Sequence, residues 1–418
     1  MTEVIDRIKA VLIGAIITAC VVKLFSYYHS LYFPNLQAVY LETIHETEDV
    51  LLLLFGMMIM IGILAKTGLF QWFAVKTYEI GGGSLWKIAF LLFSLTALLS
   101  TFLNNVTIIL LMIPVTMELS SVLRVSAAPL IIGEIIASNI GGTATLIGDP
   151  PNIIIGGMAH LSFLSFVLNL GPIVFLILFI FIFIHLKLFY SGERRERQIS
   201  KDVNIEELRE KYRITDPSLF KRSTAVLSLV LLLFVFYDKI HISVGFASVL
   251  GATIMLTLTN TSLKEALEDV EWPSLLFFTA LFVIVGGAKA LGLIDAIADG
   301  TYALCGGSLA VAIILLLWVS GLASAFLDNV PTAATMAAVV SALSGRFDPY
   351  PLYWAVALGT CLGGNATSVG AAANVVAIGV CQTKGCTITF RQYLKVGLPI
   401  TLLSLLISTV YLLLRYAV

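Results

Sequence analysis

Residues 100–107 read STFLNNVT and residues 324–332 read SAFLDNVPT, so Ser100, Phe102, Leu103, Asn105 and Val106 return 224 positions later as Ser324, Phe326, Leu327, Asn329 and Val330, with Asn104 exchanged for Asp328. A second string behaves the same way. NIGGTATLIGDPPN (139–152) is answered by CLGGNATSVGAAAN (361–374), with Gly141, Gly142, Ala144, Thr145, Gly148 and Asn152 matched by Gly363, Gly364, Ala366, Thr367, Gly370 and Asn374. A long-period repeat defines the architecture before any single motif does. Both strings are polar interruptions of apolar sequence. The stretches 86–121 and 309–343 are too long for one bilayer crossing and are cut in the middle by FLNNVT and FLDNVPT, which predicts re-entrant helical hairpins with their tips buried in protein. The stretches 126–160 and 352–380 are cut by glycine-rich runs and read as broken helices.

The rest of the chain fits this frame. Of 418 residues 59% are hydrophobic and 12% charged, about half the charged share of a soluble domain. At about 20 apolar residues per crossing, that is enough for roughly ten membrane segments. Further apolar runs lie near 8–28, 49–66, 172–190, 223–237, 242–259, 272–290 and 397–415. The expected fold is an all-α polytopic membrane protein with inverted repeats, each holding a re-entrant hairpin and a broken transmembrane helix. A net charge of −1 offers no field for nucleic acid. The cysteines Cys20, Cys305, Cys361, Cys381 and Cys386 are odd in number and lack disulfide or CxxC spacing. Arg7 and Lys9 ahead of the first apolar run look superficially like a signal peptide. Apolar sequence continues past Cys20 to about Tyr28, which argues for an uncleaved first helix.

Threading follows from residues 29–48, whose proline, histidines and acids predict an outer loop or interfacial piece. With each hairpin returning to its own side, all basic residues but Lys23, Lys239, Lys289, Arg346 and Arg415 share one face, which the positive-inside rule makes cytoplasmic. The chain then divides into an N-terminal helix and outer loop (1–48), a first inverted repeat (49–190), a cytoplasmic loop (191–222), linking transmembrane helices (223–260) and a second inverted repeat (261–418). In the loop, ERRER and NIEELREKYRI mark a short amphipathic or solvated helix. The two hairpins fall on opposite sides, and inverted repeats with broken helices mark secondary transporters. An alternating-access carrier needs two similar gates facing opposite ways, and broken helices expose backbone N–H and C=O groups to a solute near the midplane.

The candidate site in the first half is Asn104, Asn105 and Thr107 at the tip, with Asn139, Thr143, Thr145, Asp149 and Asn152 in the break. In the second half it is Asp328, Asn329 and Thr332 at the tip, with Asn365, Thr367, Ser368 and Asn374 in the break. Each half supplies one aspartate, from opposite elements. A carboxylate inside the membrane is costly as the anion and functional by default, so Asp149 and Asp328 are expected to take up and release protons; capping of backbone amides is the plain alternative. Glu134, in an otherwise apolar stretch, is either a third proton-coupling site or a neutral hydrogen-bonded acid. The asparagines and threonines bind solute or join helices. Cys361 stands at the position of Asn139 and reads as a small buried residue. Lys289 reads as a snorkelling side chain, and His160, His185 and His241 are isolated.

At LLFGMMI (53–59), LNNVTIILLMIPVT (103–116), NIGGTATLIGDPPN, EWPSLLFFTALFV (271–283), FLDNVPTAATM (326–336) and ALGTCLGGNATSVGAAANVV (357–376), the chain resembles the ion transporter superfamily. Within it, the likeness is to the group of arsenite permeases, D-type sodium/proton antiporters and the pink-eyed-dilution protein, and covers nearly all residues from about 48. The resemblance implies a scaffold domain and a transport domain that moves as an elevator, commonly in a homodimer. It also implies that the two tips and their facing breaks hold substrate and coupling ion. The second break departs from the first, reading GAAAN where the first reads GDPPN.

The function expected is secondary active transport in a bacterial or archaeal cytoplasmic (inner) membrane, with efflux of arsenite or antimonite coupled to protons. Sodium/proton antiport fits the same carboxylates. A dicarboxylate or citrate transporter fits less well, since no arginine lies near either tip. An enzyme is not expected, as HExxH and GxSxG are missing, and two inverted gates argue for a carrier over a channel. No cofactor or metal is expected. The partners are a small inorganic ion or oxyacid, protons or sodium, and the lipid bilayer.

Overall fold

The computed structural model describes residues 2–28, 47–82, 84–190, 209–236, 240 and 242–417. The outer loop expected over 29–48 lies outside the described residues except for Thr47 and Glu48, as do ERRER and the start of the solvated helix in the 191–222 loop. Among the described residues every regular element is a helix. In chain order these are α1 (Thr2–Tyr28), α2 (Glu48–Ala65), α3 (Leu69–Gly81), α4 (Leu85–Ser100), α5 (Asn105–Val122), α6 (Ala127–Gly142), α7 (Pro150–Ala159), α8 (Phe163–Tyr190) and α9 (Pro217–Val235). They continue as α10 (Val244–Thr259), α11 (Leu263–Glu268), α12 (Trp272–Ala290), α13 (Leu293–Cys305), α14 (Leu309–Phe326), α15 (Asn329–Leu343), α16 (Pro349–Gly363), α17 (Ala372–Thr383) and α18 (Phe390–Tyr416). Seven of the described helices are long and apolar enough to cross a membrane, and the protein is a multi-pass integral membrane protein.

Helices α2–α8 and α12–α18 follow one plan. The short helices α3 and α13 each start after a left-handed glycine, Gly68 or Gly292, and each stop at another, Gly82 or Gly306. Positive φ is open to glycine at no steric cost, so these four glycines fix both ends of both helices. α4 and α5 form one helical hairpin and α14 and α15 the other. The second arm of each opens on a side-chain cap: Asn104 accepts the Val106 N–H at 2.9 Å and Asp328 accepts the Val330 N–H at 3.1 Å. α6 and α7 are one helix broken over 143–149, and Pro150 at the first position of α7 lacks the N–H that a continuous helix would need. α16 and α17 are broken over 364–371.

Packing between the two runs is reciprocal. The first arm of each hairpin lies on the first half of its own broken helix, α4 on α6 and α14 on α16. The second arm crosses to the other run: α5 meets α17 and α15 meets α7. Outside this core α10 packs on α2 and α1 packs on α12, so each run's leading helix is covered by a long helix from ahead of the other run. Close approach of arm and broken helix depends on glycine. A Cβ at Gly141 would lie 2.2 Å from the Ala97 carbonyl oxygen, and one at Gly363 would lie 2.3 Å from that of Gly321. Small residues at such seams let backbones touch where no hydrophobic force pulls helices together.

Candidate functional site

The crossing of the arms brings both tips and both breaks to one place. Asn105, the first residue of α5, donates from Nδ2 to Asn139 Oδ1 at 3.1 Å and to Asp149 Oδ1 at 3.2 Å. Asn329, the first residue of α15, donates to the same carboxylate, at 3.4 Å to each oxygen. Asp149 therefore receives an amide from each hairpin tip. It is fully buried, and among the described residues no basic side chain is bonded to it. Asn139 Nδ2 donates onward to Asn365 Oδ1 and to Asn374 Oδ1, both at 2.9 Å. A continuous buried network thus runs from the second tip through Asp149 to the first tip and on into the second break. Networks of this kind hold one geometry because each unmade bond would strand a buried polar group.

Each break is closed by its own asparagine. Asn152 Nδ2 donates to the carbonyls of Thr145 at 2.8 Å and Thr143 at 3.0 Å, and Asn374 Nδ2 donates to those of Gly364 and Thr367, both at 2.8 Å. A threonine then ties each break to its hairpin: the Thr145 hydroxyl donates to the Thr101 carbonyl and the Thr367 hydroxyl to the Ala325 carbonyl.

Asp149, Asn104, Asn105, Asp328 and Asn329 line a cavity of about 290 Å³, closed on its far side by α12 with Glu271, Pro273, Ser274, Phe277 and Phe278, and by Ile8, Ala372, Val375 and Val376. Among the described residues three carboxylates and three amides line this space, and none of its lining residues is a lysine, arginine or histidine. The matching space on the α2 side, lined by Leu54, Met57, Met58, Ile61, Asn104, Thr107, Pro150 and Ile153, measures about 20 Å³. The space on the α12 side is the larger of the two, and only the first tip reaches the smaller one.

The remaining sequence candidates are distributed around this cavity. Thr107 borders the smaller space on the α2 side. Asn139, Thr143, Thr145, Asn152, Asn365, Thr367 and Asn374 are buried behind the cavity in the breaks, with Thr143 donating to the Asn139 carbonyl at 2.8 Å. Thr332 donates to the Asp328 carbonyl at 3.1 Å, and Ser368 is half-buried beyond the cavity lining. Asp328 is half-buried on the rim, where its Oδ1 caps α15. Glu134 lies fully buried between α6 and α5, accepting from the Thr116 hydroxyl at 2.9 Å, outside the cavity lining. Cys361 is buried with Sγ 3.4 Å from Asn152 Oδ1. Glu271, which accepts from Ser274 Oγ at 3.2 Å, is a cavity residue that sequence reasoning passed over. An acid placed just ahead of the apolar run 272–290 was its available signal. Among the described residues no group of three or more His, Cys, Asp or Glu side chains is arranged to hold a metal ion.

Comparison with known proteins agrees with the geometry. A family model described as "Citrate transporter" matches residues 1–359. An uncharacterized transporter of Mycobacterium tuberculosis is 37% identical over 381 residues, covering 90% of this chain and 88% of that one. The human P protein is 34% identical over 452 residues, covering 88% of this chain and 54% of its own length. Among solved structures, the YdaH transporter of Alcanivorax borkumensis superimposes with a TM-score of 0.63 over 98% of both chains at 13% identity, which speaks for the fold alone. Family and fold are those of a transporter of small ions or solutes and not of an enzyme.

Proposed function

The chain belongs to the citrate transporter family, and from that premise we propose that it is a proton-coupled secondary carrier whose substrate site is the cavity between the two hairpin tips and α12. The observation that carries this reading is the lining of that cavity: two tips and one break meet at Asp149, with amides and carboxylates along the space and no cationic side chain among its described lining residues. Asp149 takes up and releases the coupling proton, and Asp328 on the rim passes it to the α12 side. Runs 49–190 and 261–418 act as inverted repeats. Their hairpins alternate as gates, with the broken helices and hairpins moving as an elevator against α2, α10, α12 and α1, in a homodimer. The unequal spaces on the α12 and α2 sides, about 290 and 20 Å³, are what this reading draws on. Basic loops on one face support a bacterial or archaeal cytoplasmic membrane.

The substrate that fits is small, rich in hydroxyls and free of net negative charge. Arsenite and antimonite meet these terms, since at neutral pH both are uncharged trihydroxides that amide oxygens and carboxylates can hold by hydrogen bonds. Bare citrate would meet three carboxylates and, among the described lining residues, no counter-charge, so it enters with protons or a cation to balance it. Sodium/proton antiport is the second reading, favoured by the same three carboxylates. Purified protein in proteoliposomes separates them: with an imposed pH gradient, arsenite is expected to move, while citrate without a divalent cation and sodium are not. Citrate flux without arsenite flux would overturn the substrate assignment, and sodium-driven proton movement without arsenite flux would favour the second reading.

A further inference from the structure

Residues 209–216, which lead into α9, lie across the end of the first run and are bonded to three of its helices. Thr215 holds the end of α2: its N–H donates to the Thr67 carbonyl at 3.0 Å and its hydroxyl to the Lys66 carbonyl at 3.2 Å. The Arg213 carbonyl passes so near Gly68 that a Cβ there would stand 3.0 Å from it. Side chains reach the other two helices. Arg209 Nε donates to Glu79 Oε1 of α3 at 2.9 Å. Lys211 Nζ donates to both carboxylate oxygens of Glu118, near the end of α5, at 2.8 Å, and the Tyr212 hydroxyl donates to the same group. α5 is the hairpin arm that carries Asn105 at its other end. The second run has neither acceptor: at the 224-residue offset Glu79 becomes Ala303 and Glu118 becomes Ala342, yet α13 packs on α15 as α3 packs on α5. The two glutamates are therefore not needed to seat a hairpin on its short helix. They serve the strap.

We propose that residues 209–216 are a latch: anchored on α2, they hold the base of the first hairpin in the arrangement that leaves the larger space on the α12 side, and the hairpin moves only after Glu118 parts from Lys211 and Tyr212. Assigning motion to the hairpin rests on the carrier reading above; the strap and its bonds do not. Exposure suits the side-chain bonds to release. The Lys211 and Arg209 side chains are 55% and 59% exposed, and ion pairs at such exposure are individually weak and screened by salt. The anchor is of another kind, made of backbone carbonyls at the end of a helix that packs on α10. Because the acceptors Glu79 and Glu118 exist on one hairpin only, the latch makes two otherwise equivalent gates unequal and sets the resting arrangement of the carrier.

Two cysteine reporters read the balance in micelles without substrate: Thr107→Cys on the smaller space and Ser274→Cys in the larger. Each is modified by a small water-soluble methanethiosulfonate and followed by mass spectrometry of its own peptide, so the native cysteines do not interfere. Glu118→Gln is expected to raise the Thr107→Cys rate about three- to tenfold, while the Ser274→Cys rate holds or falls. Lys211→Gln combined with Tyr212→Phe removes the same bonds from the strap's side, leaves α5 untouched and is expected to act alike, which keeps the test valid if Glu118→Gln does not fold. An unchanged Thr107→Cys rate in a folded variant would overturn the latch. So would a rise at both reporters, the mark of general loosening and not of a shift between two arrangements. The rates involve neither substrate nor proton gradient: failure of the arsenite or proton assignment leaves them as they are, and their failure leaves that assignment standing.

Discussion

Substituting alanine for Gly141 or Gly363 tests how finely the site depends on the seam between hairpin and broken helix. A Cβ at Gly141 would stand 2.2 Å from the Ala97 oxygen and 2.6 Å from its Cα; at Gly363 the Gly321 oxygen and Cα would stand at 2.3 and 2.8 Å. All four neighbours are backbone atoms, so no rotamer change relieves the clash and the helices must part by about 1 Å to reach ordinary contact. Asn105 bridges the two elements that would part, at 3.2 Å to Asp149 and 3.1 Å to Asn139. A displacement of about 1 Å carries both beyond hydrogen-bond range. Overpacking costs about 1–3 kcal/mol and a buried bond to a carboxylate about as much again, giving a loss of about 2–6 kcal/mol for Gly141→Ala. Gly363→Ala carries the overpacking cost alone. The control is Gly379→Ala in α17, where nothing lies within 4 Å of the added carbon and alanine should stabilise the helix by about 0.5–1 kcal/mol. Thermal unfolding in micelles, read beside transport in proteoliposomes, gives both consequences. Gly141→Ala and Gly363→Ala that melt with the unsubstituted protein and transport normally would refute the reasoning.

Glu271→Gln keeps the bond from Ser274 and removes one of the cavity's three acidic side chains. Transport of a neutral trihydroxide should change less than about twofold, whereas apparent affinity for a cation should fall about tenfold; substrate titrations in proteoliposomes distinguish the two. At the base of α3, hydrogen bonds from Arg209 and then Lys76 hold the Glu79 carboxyl below its ordinary value of 4.5. A depressed carboxyl stabilises the folded state above the unfolded pKa and stops doing so as pH falls through the folded one. Protection factors of the amides over 209–213, with intrinsic exchange divided out, should therefore be unchanged from pH 7 to about 5 and fall only below about 4.5. A fall already at pH 6 would contradict this.

Tips and breaks were legible because polar strings such as NNVT and GDPPN have no place in apolar sequence unless protein surrounds them. The 224-residue recurrence carried the pairing of the two halves. The short helices α3 and α13 escaped notice, although Gly68, Gly82, Gly292 and Gly306 recur at the same offset and mark all four ends. Asp149 and Asp328 look alike in sequence, each an acid at the start of a helix segment. Their environments part them: Asp328 spends an oxygen on the Val330 N–H, while Asp149 makes no cap bond and receives amides from two distant tips. Which carbonyl an asparagine amide will choose is decided by backbone ends 7 to 10 residues away in the break, and residue spacing alone does not specify that. Glu271 comes to the cavity by the packing of α12 beside the tips, a long-range arrangement invisible to local patterning.

Proton movement per substrate carried, recorded with a pH dye inside proteoliposomes for the unsubstituted protein and for Asp149→Asn, tests the central claim most directly. Asparagine keeps the size of the side chain and an oxygen for Asn105 and Asn329, so the variant should fold. The account predicts coupled proton flux in the first and its loss by about two orders of magnitude in the second. Asp149→Asn vesicles that move protons with substrate at the original ratio and rate would contradict it.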